Sequence, residues 1–153
     1  MTDTTPRYVM PATSFGRVLF RFFNSTVAAL TRAGISVYGS RVLAVRGRAS
    51  GEWRTNPVNP LTYAGSRYLV APRGQTQWVR NLRVAGGGEL RVGRRAEAFT
   101  ATELSDDQKP EILREYLRRW KFEVGMFFEG VGPDSTDAEF AVIAERHPVF
   151  VLR

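Results

Sequence analysis

Gly47-Arg48-Ala49-Ser50-Gly51-Glu52-Trp53-Arg54-Thr55-Asn56-Pro57 follows the apolar run Val42-Leu43-Ala44-Val45-Arg46. The apolar spacing there shifts towards two, so residues 42–46 read as a strand, and the bounding glycines make residues 47–51 a loop. Residues 53–63 look extended, with Pro57 and Pro60 marking an edge strand or a bulge. Downstream, Gly65 turns the chain into a strand over 67–71, followed by Pro72-Arg73-Gly74. Residues 78–85 fit a short helix closed by Gly86-Gly87-Gly88, and 89–92 with 96–104 fit a hairpin around Gly93-Arg94. Ser105 and Gln108 form a capping-box pattern ahead of a helix whose apolar face is Ile112, Leu113, Tyr116, Leu117 and Trp120. The stretch 122–128 is aromatic-rich, 137–144 reads as a last short helix, and 148–152 as a final strand. Five or six strands with interspersed helices and no repeating βαβ unit predict an α+β, barrel-like domain.

Upstream, residues 1–14 read as a flexible tail and 15–153 as a single domain that begins with an amphipathic helix over 15–33. Phe15, Val18, Leu19, Phe22, Val27 and Leu30 recur at helical spacing until Gly34, with Arg17 and Arg21 on the flank. Such a helix suits docking on the domain's own core or lying at a membrane interface. Nothing resembles a signal peptide or a membrane span, so the expected location is cytoplasmic, with peripheral contact at the inner face of the cell membrane through 15–33.

The 153 residues include no cysteine and a single histidine, His147. That excludes disulfides, thiolate metal sites, a cysteine nucleophile and multi-histidine metal centres, and argues against a Ser-His-Asp hydrolase. No metal is expected. The formal charge of +7 is unevenly placed. Residues 1–96 carry 15 basic and three acidic side chains, whereas 97–153 carry 7 basic and 12 acidic ones. Arginine supplies 20 of the 22 basic residues, and its planar fork matches phosphate and carboxylate.

The positive charge concentrates between Gly47 and Arg83, where Arg48, Arg54, Arg67, Arg73 and Arg80 lie among Ser50, Thr55, Asn56, Gln77 and Asn81. Two glycine-bounded loops after strands allow backbone N–H groups to approach an anion. If strands 42–46 and 67–71 are neighbours, both loops project from one sheet end and form a pocket for a phosphorylated ligand. Solvated turns have the same composition, so this pattern alone leaves both readings open. Trp78 is likewise compatible with ring stacking or with the core, and His147 with a structural role.

The run Gly47 to Pro57 resembles the G-R-[KA]-S-G-x-x-R-x-x-P signature of the deazaflavin-dependent nitroreductase family, whose single-domain branch includes quinone reductases. The resemblance continues through Tyr68-Leu69-Val70-Ala71-Pro72-Arg73-Gly74 and Gln77-Trp78-Val79-Arg80-Asn81-Leu82, and ends at His147-Pro148-Val149-Phe150. It implies a split β-barrel of the FMN-binding, flavin-reductase-like type, with the N-terminal helix and the C-terminal helices packed on it. It also implies coenzyme F420, whose reduced form donates a hydride to a quinone, an α,β-unsaturated carbonyl or a nitroaromatic. By that likeness Arg48, Ser50, Arg54 and Arg73 fall at the phosphate and acidic tail, within the loops that include Ala49 and Val70, Ala71 and Pro72. Thr55, Asn56, Pro57, Val58, Gln77, Trp78, Val79, Arg80 and Asn81 fall beside the deazaflavin ring. Ala49 departs from the lysine of many members, which leaves one phosphate contact either missing or supplied by Arg48 or Arg73. Members that place tyrosines over the substrate compare here with Tyr116, Phe127 and Phe128, the candidate substrate pocket.

Two other readings compete. An FMN-binding reductase of the same barrel type needs fewer arginines, because FMN carries a single phosphate. A single-stranded nucleic-acid platform could use Trp53, Tyr68 and Trp78, but no RNP, KH or helix-turn-helix pattern supports it, so no nucleic-acid partner is expected. NAD is disfavoured, since Gly86-Gly87-Gly88 lacks the dinucleotide spacing and lies between a helix and a strand, the reverse order. The expected assembly is a monomer or a homodimer.

Overall fold

The computed structural model describes residues 40–153. The tail over 1–14 and the helix expected over 15–33 lie outside the described residues. The first strand, β1 (Arg41–Arg46), leads through the 47–51 loop into β2 (Trp53–Val58), then β3 (Leu61–Tyr63) and β4 (Ser66–Val70). Helix α1 (Gln77–Ala85) precedes the hairpin of β5 (Gly87–Val92) and β6 (Arg95–Glu103). Helices α2 (Lys109–Val124) and α3 (Asp137–Ile143) follow, and β7 (Val149–Leu152) closes the chain.

Among the described residues seven strands form one antiparallel sheet in the order β2-β1-β5-β6-β7-β4-β3. Sequence reasoning undercounted them because β3 has three residues, hidden between Pro60 and Gly65. Both Pro57 and Pro60 sit on or beside edge strands, where a missing N–H costs no ladder bond. The sheet curls at β6, which pairs with β5 as far as Thr100 and with β7 from Ala101 onward. A curled half-barrel with helices packed on it results, in agreement with the expected α+β barrel.

Strands β1 and β4 are not neighbours in the sheet, because β5, β6 and β7 intervene. Curling nevertheless brings the two strands face to face. Leu43 and Val45 of β1 join Leu69 of β4, Leu90, Phe99, Phe150 and the α1 residues Val79 and Leu82 in one buried cluster. Burying side chains of this size contributes roughly 1.5–3 kcal/mol each.

A second cluster lies beneath the carboxyl-terminal helices. Ile112, Leu113, Tyr116, Leu117 and Trp120 of α2 pack on Phe140 and Ile143 of α3, and on Leu61, Val70 and Val149 of the sheet. A 3-10 turn over Asp106–Gln108 precedes α2, and the Ser105 N–H donates to Gln108 Oε1 at 3.1 Å, the capping pattern expected from sequence. Lys109, 3% exposed, donates from Nζ to the Ala144 carbonyl at 2.9 Å and pairs with Asp106 at 2.7 Å. This ties the start of α2 to the end of α3.

The glycine triplet does not act as a unit. Only Gly86 caps α1, in the left-handed conformation, with its N–H on the Leu82 carbonyl. Gly87 and Gly88 already belong to β5. A Cβ on Gly87 would lie 2.4 Å from the Phe99 carbonyl oxygen, and one on Gly88 2.4 Å from that of Ala44. Close approach of neighbouring backbone therefore explains these two glycines.

Candidate functional site

Strand β1 delivers the 47–51 loop to the flank of α1. The loop closes on itself, with the Gly47 N–H on the Glu52 carbonyl and the Gly51 N–H on the Gly47 carbonyl, both at 2.8 Å. Helix α1 then fixes it in place. Asn81 Oδ1 accepts the Arg48 backbone N–H at 3.1 Å and Arg48 Nη1 at 2.8 Å, while Gln77 Oε1 accepts Arg48 Nη2 at 2.9 Å. Gln77 and Asn81 stand four apart, so both amides share one helix face. Asn81 is buried, whereas Arg48 and Gln77 are exposed.

The second loop, from Ala71 to Thr76, folds over the chain entering β7. The Ala71 N–H donates to the Pro148 carbonyl at 2.8 Å, and the Thr76 N–H to that of Gly74 at 2.8 Å. Gly74 has φ +84°, and a Cβ there would sit 3.0 Å from the Arg146 carbonyl, so the turn requires glycine. Thr76 occupies the N-cap of α1 without capping it. Its Oγ1 is buried with no partner, and the first turn of α1 contains no acidic residue. No acidic side chain in the helix's own first turn offsets its positive end.

The first loop is held against the flank of α1 and the second leads into its N-terminus, so the two are linked through that helix. Ala49, Ser50, Arg54, Thr55 and Pro57 are exposed, and Asn56, Val58, Pro72, Arg73, Trp78 and Arg80 are partly buried. Arg54 forms an ion pair with Glu52, at 3.9 Å. Arg73 lies over the Phe127 ring, 5.4 Å from its centroid. Trp78 packs 6.2 Å from Phe150 on the barrel cluster. Val70, Ala71 and Val79 are core side chains, so only their backbone is available to a ligand.

The aromatic residues expected at a substrate pocket gather in one cluster but differ in exposure. Tyr116 and Phe128 are buried in the helical cluster, with ring centroids 6.2 Å apart, and Phe127 is partly buried at its margin. His147 stacks on Phe128 at 4.2 Å, beneath the second loop. Burial, the larger effect, pushes its imidazole down to about 4, against the opposing pull of the Ala71 and Pro72 backbone. Sequence reasoning missed the partnership of Arg48 with α1, which spans 33 residues; the four-residue spacing of Gln77 and Asn81 was the available signal. Among the described residues no three His, Asp or Glu side chains gather as a metal site. No described helix is long and apolar enough to cross a membrane.

A family model described as F420H(2)-dependent quinone reductase matches residues 18–124. The chain belongs to the F420H(2)-dependent quinone reductase family. It is an F420-dependent reductase, with coenzyme F420 as its cofactor. Its fold is similar to that of a solved F420-H2 dependent reductase, FDR-A, at 16% identity and a TM-score of 0.50, covering 75% of this chain and 94% of that one. A structure described as a domain-swapped dimer matches at 15% identity and a TM-score of 0.53, covering 92% and 100% of the two chains. Atu2129 of Agrobacterium tumefaciens, of unknown function, matches at 15% identity and a TM-score of 0.53, covering 97% of this chain and 58% of that one. Comparison with curated proteins found no match.

The assembled residues suit this family's anionic cofactor. An arginine fixed by neutral amides, an orphaned Thr76 hydroxyl and a helix start with no acidic side chain in its first turn all favour a ligand that brings negative charge.

Proposed function

We propose that this protein reduces a quinone with reduced F420, and that activated alkenes and nitroaromatics belong to the same class of acceptor. The observation that carries this reading is Arg48, whose guanidinium rests on Gln77 and Asn81 with no carboxylate partner among the described residues. Arg48, Ser50, Arg54 and Arg73 would hold the phosphate and acidic tail. Each charge-assisted hydrogen bond to the tail contributes ~1.5–3 kcal/mol. Thr55, Asn56, Pro57 and Val58 of β2, with Trp78 and Arg80 of α1, would flank the deazaflavin ring. Bound reduced F420 supplies the hydride, so the protein's part is position and electrostatics.

Titration of F420 against tryptophan fluorescence, followed by re-oxidation of reduced F420 with menadione, tests the reading. Micromolar binding and turnover are expected, and Arg48→Ala weakens binding about tenfold or more. Absence of F420 binding, or tighter binding of FMN than of F420, would overturn it.

A further inference from the structure

We infer that Asn81 and Gln77 are positioning residues that hold Arg48 in place while leaving its charge available, and that their being amides rather than carboxylates makes the site selective for an anionic ligand tail. The inference rests on the proposed contact between Arg48 and that tail.

The chain itself provides the comparison. Arg83 is gripped by both oxygens of Glu103, at 2.6 and 2.7 Å, and Arg67 by both oxygens of Glu97, at 3.1 and 2.5 Å. Those guanidiniums are fixed and also neutralised. Arg48 is fixed by two acceptors as well, at 2.8 and 2.9 Å, but both acceptors are uncharged. A guanidinium does not lose its proton in proteins, so its net effect on a ligand depends on what sits beside it.

Asn81 adds a second function. Its one oxygen accepts both the Arg48 backbone N–H and the guanidinium, so loop backbone and side chain are set together. Aspartate has the same shape and could accept the same two bonds. At a side chain 5% exposed, however, its charge would be poorly screened from the guanidinium. Gln77, at an exposed position, offers the same exchange with less demand on the fold.

The experiment compares the wild type with Asn81→Asp, Gln77→Glu and Arg48→Ala. Each is titrated with F420 and with the deazaflavin riboside that lacks phosphate and glutamates, at low and high salt, and each is checked by thermal melting. Asn81→Asp is expected to weaken F420 about tenfold and Gln77→Glu a few-fold. The riboside affinity falls less than the F420 affinity in both, and the loss of F420 affinity shrinks at high salt. If Asn81→Asp melts early, Gln77→Glu decides the matter.

Carboxylate variants that bind F420 like the wild type, while Arg48→Ala does not, would overturn this inference and leave the proposed function standing. Equal weakening of F420 and riboside would also overturn it, because the role would then be structural. An Arg48→Ala protein that binds F420 normally would remove the proposed contact and the inference with it.

Discussion

Arg48 ends on the amide oxygens of Gln77 and Asn81, whereas Arg114 ends on Asp137 and Arg118 on Glu115. The first lies where the barrel cluster meets α1, the others on the helical cluster of α2 and α3. Both regions come from one arginine-rich chain, yet Arg114 and Arg118 of the helical region are paired with carboxylates, as are Arg67 and Arg83 of the barrel region, and Arg48 is held by amides instead. The basic first two-thirds of the sequence and its acidic last third meet in the Arg67–Glu97 and Arg83–Glu103 pairs, which leave Arg48 aside. In the helical region Lys109 is buried with its partners at the junction of α2 and α3, and the aromatic core packs beside it.

The strongest way to test this division is to damage the helical core alone. Phe140 is fully buried, and Phe140→Ala is expected to cost about 3–5 kcal/mol in urea denaturation, while the folded fraction binds F420 as before. A parallel loss of F420 affinity would show that the two regions are not separable. An intermediate effect is expected at their boundary, where His147 stacks on Phe128 below the second loop. The folded state holds His147 neutral down to about pH 4, whereas in the unfolded chain it titrates near 6.5. Between these values the unfolded chain binds more protons, so stability falls as pH drops through the window and levels off below about 4. Denaturation at pH 7 and 5 should differ by about 2 kcal/mol from this group, at about 1.4 kcal/mol per pH unit. His147→Phe should reduce that difference, and an unchanged difference would assign it to other groups. The smallest effect belongs to Arg118, half exposed and 2.6 Å from Glu115. Arg118→Ala is expected to shift stability by less than about 0.5 kcal/mol and leave F420 affinity unchanged, the opposite of Arg48→Ala.

Local features were legible in the sequence. The strand ending at Arg46, the loop bounded by Gly47 and Gly51, the capping pattern at Ser105 and the apolar face from Ile112 to Trp120 all rest on neighbouring residues, and all are present. Strand order was not legible, because pairing β1 with β5 rather than β4 depends on how the whole sheet curls. The candidate loops were identifiable from glycine and arginine spacing, but the grip of Asn81 on Arg48 was not, since it joins segments that only folding brings together. Tyr116 and Phe128 illustrate the converse limit. Periodicity marked Tyr116 as facing inward, without saying whether inward meant a core or a cavity; both rings lie in the core.

The direct passage from α1 through Gly86 into β5 has a mechanical consequence. No connecting loop separates the helix that anchors Arg48 from an inner strand of the sheet, and Gly87 and Gly88 press against backbone on either side. The helix consequently has no slack at that end. An added residue there would shift the register of β5 against β1 and β6 together, so lengthening is tolerated at the Gly93 hairpin tip and not at the Gly86 splice. The 47–51 loop, held by Asn81, is thereby set against a helix that the sheet itself keeps in register.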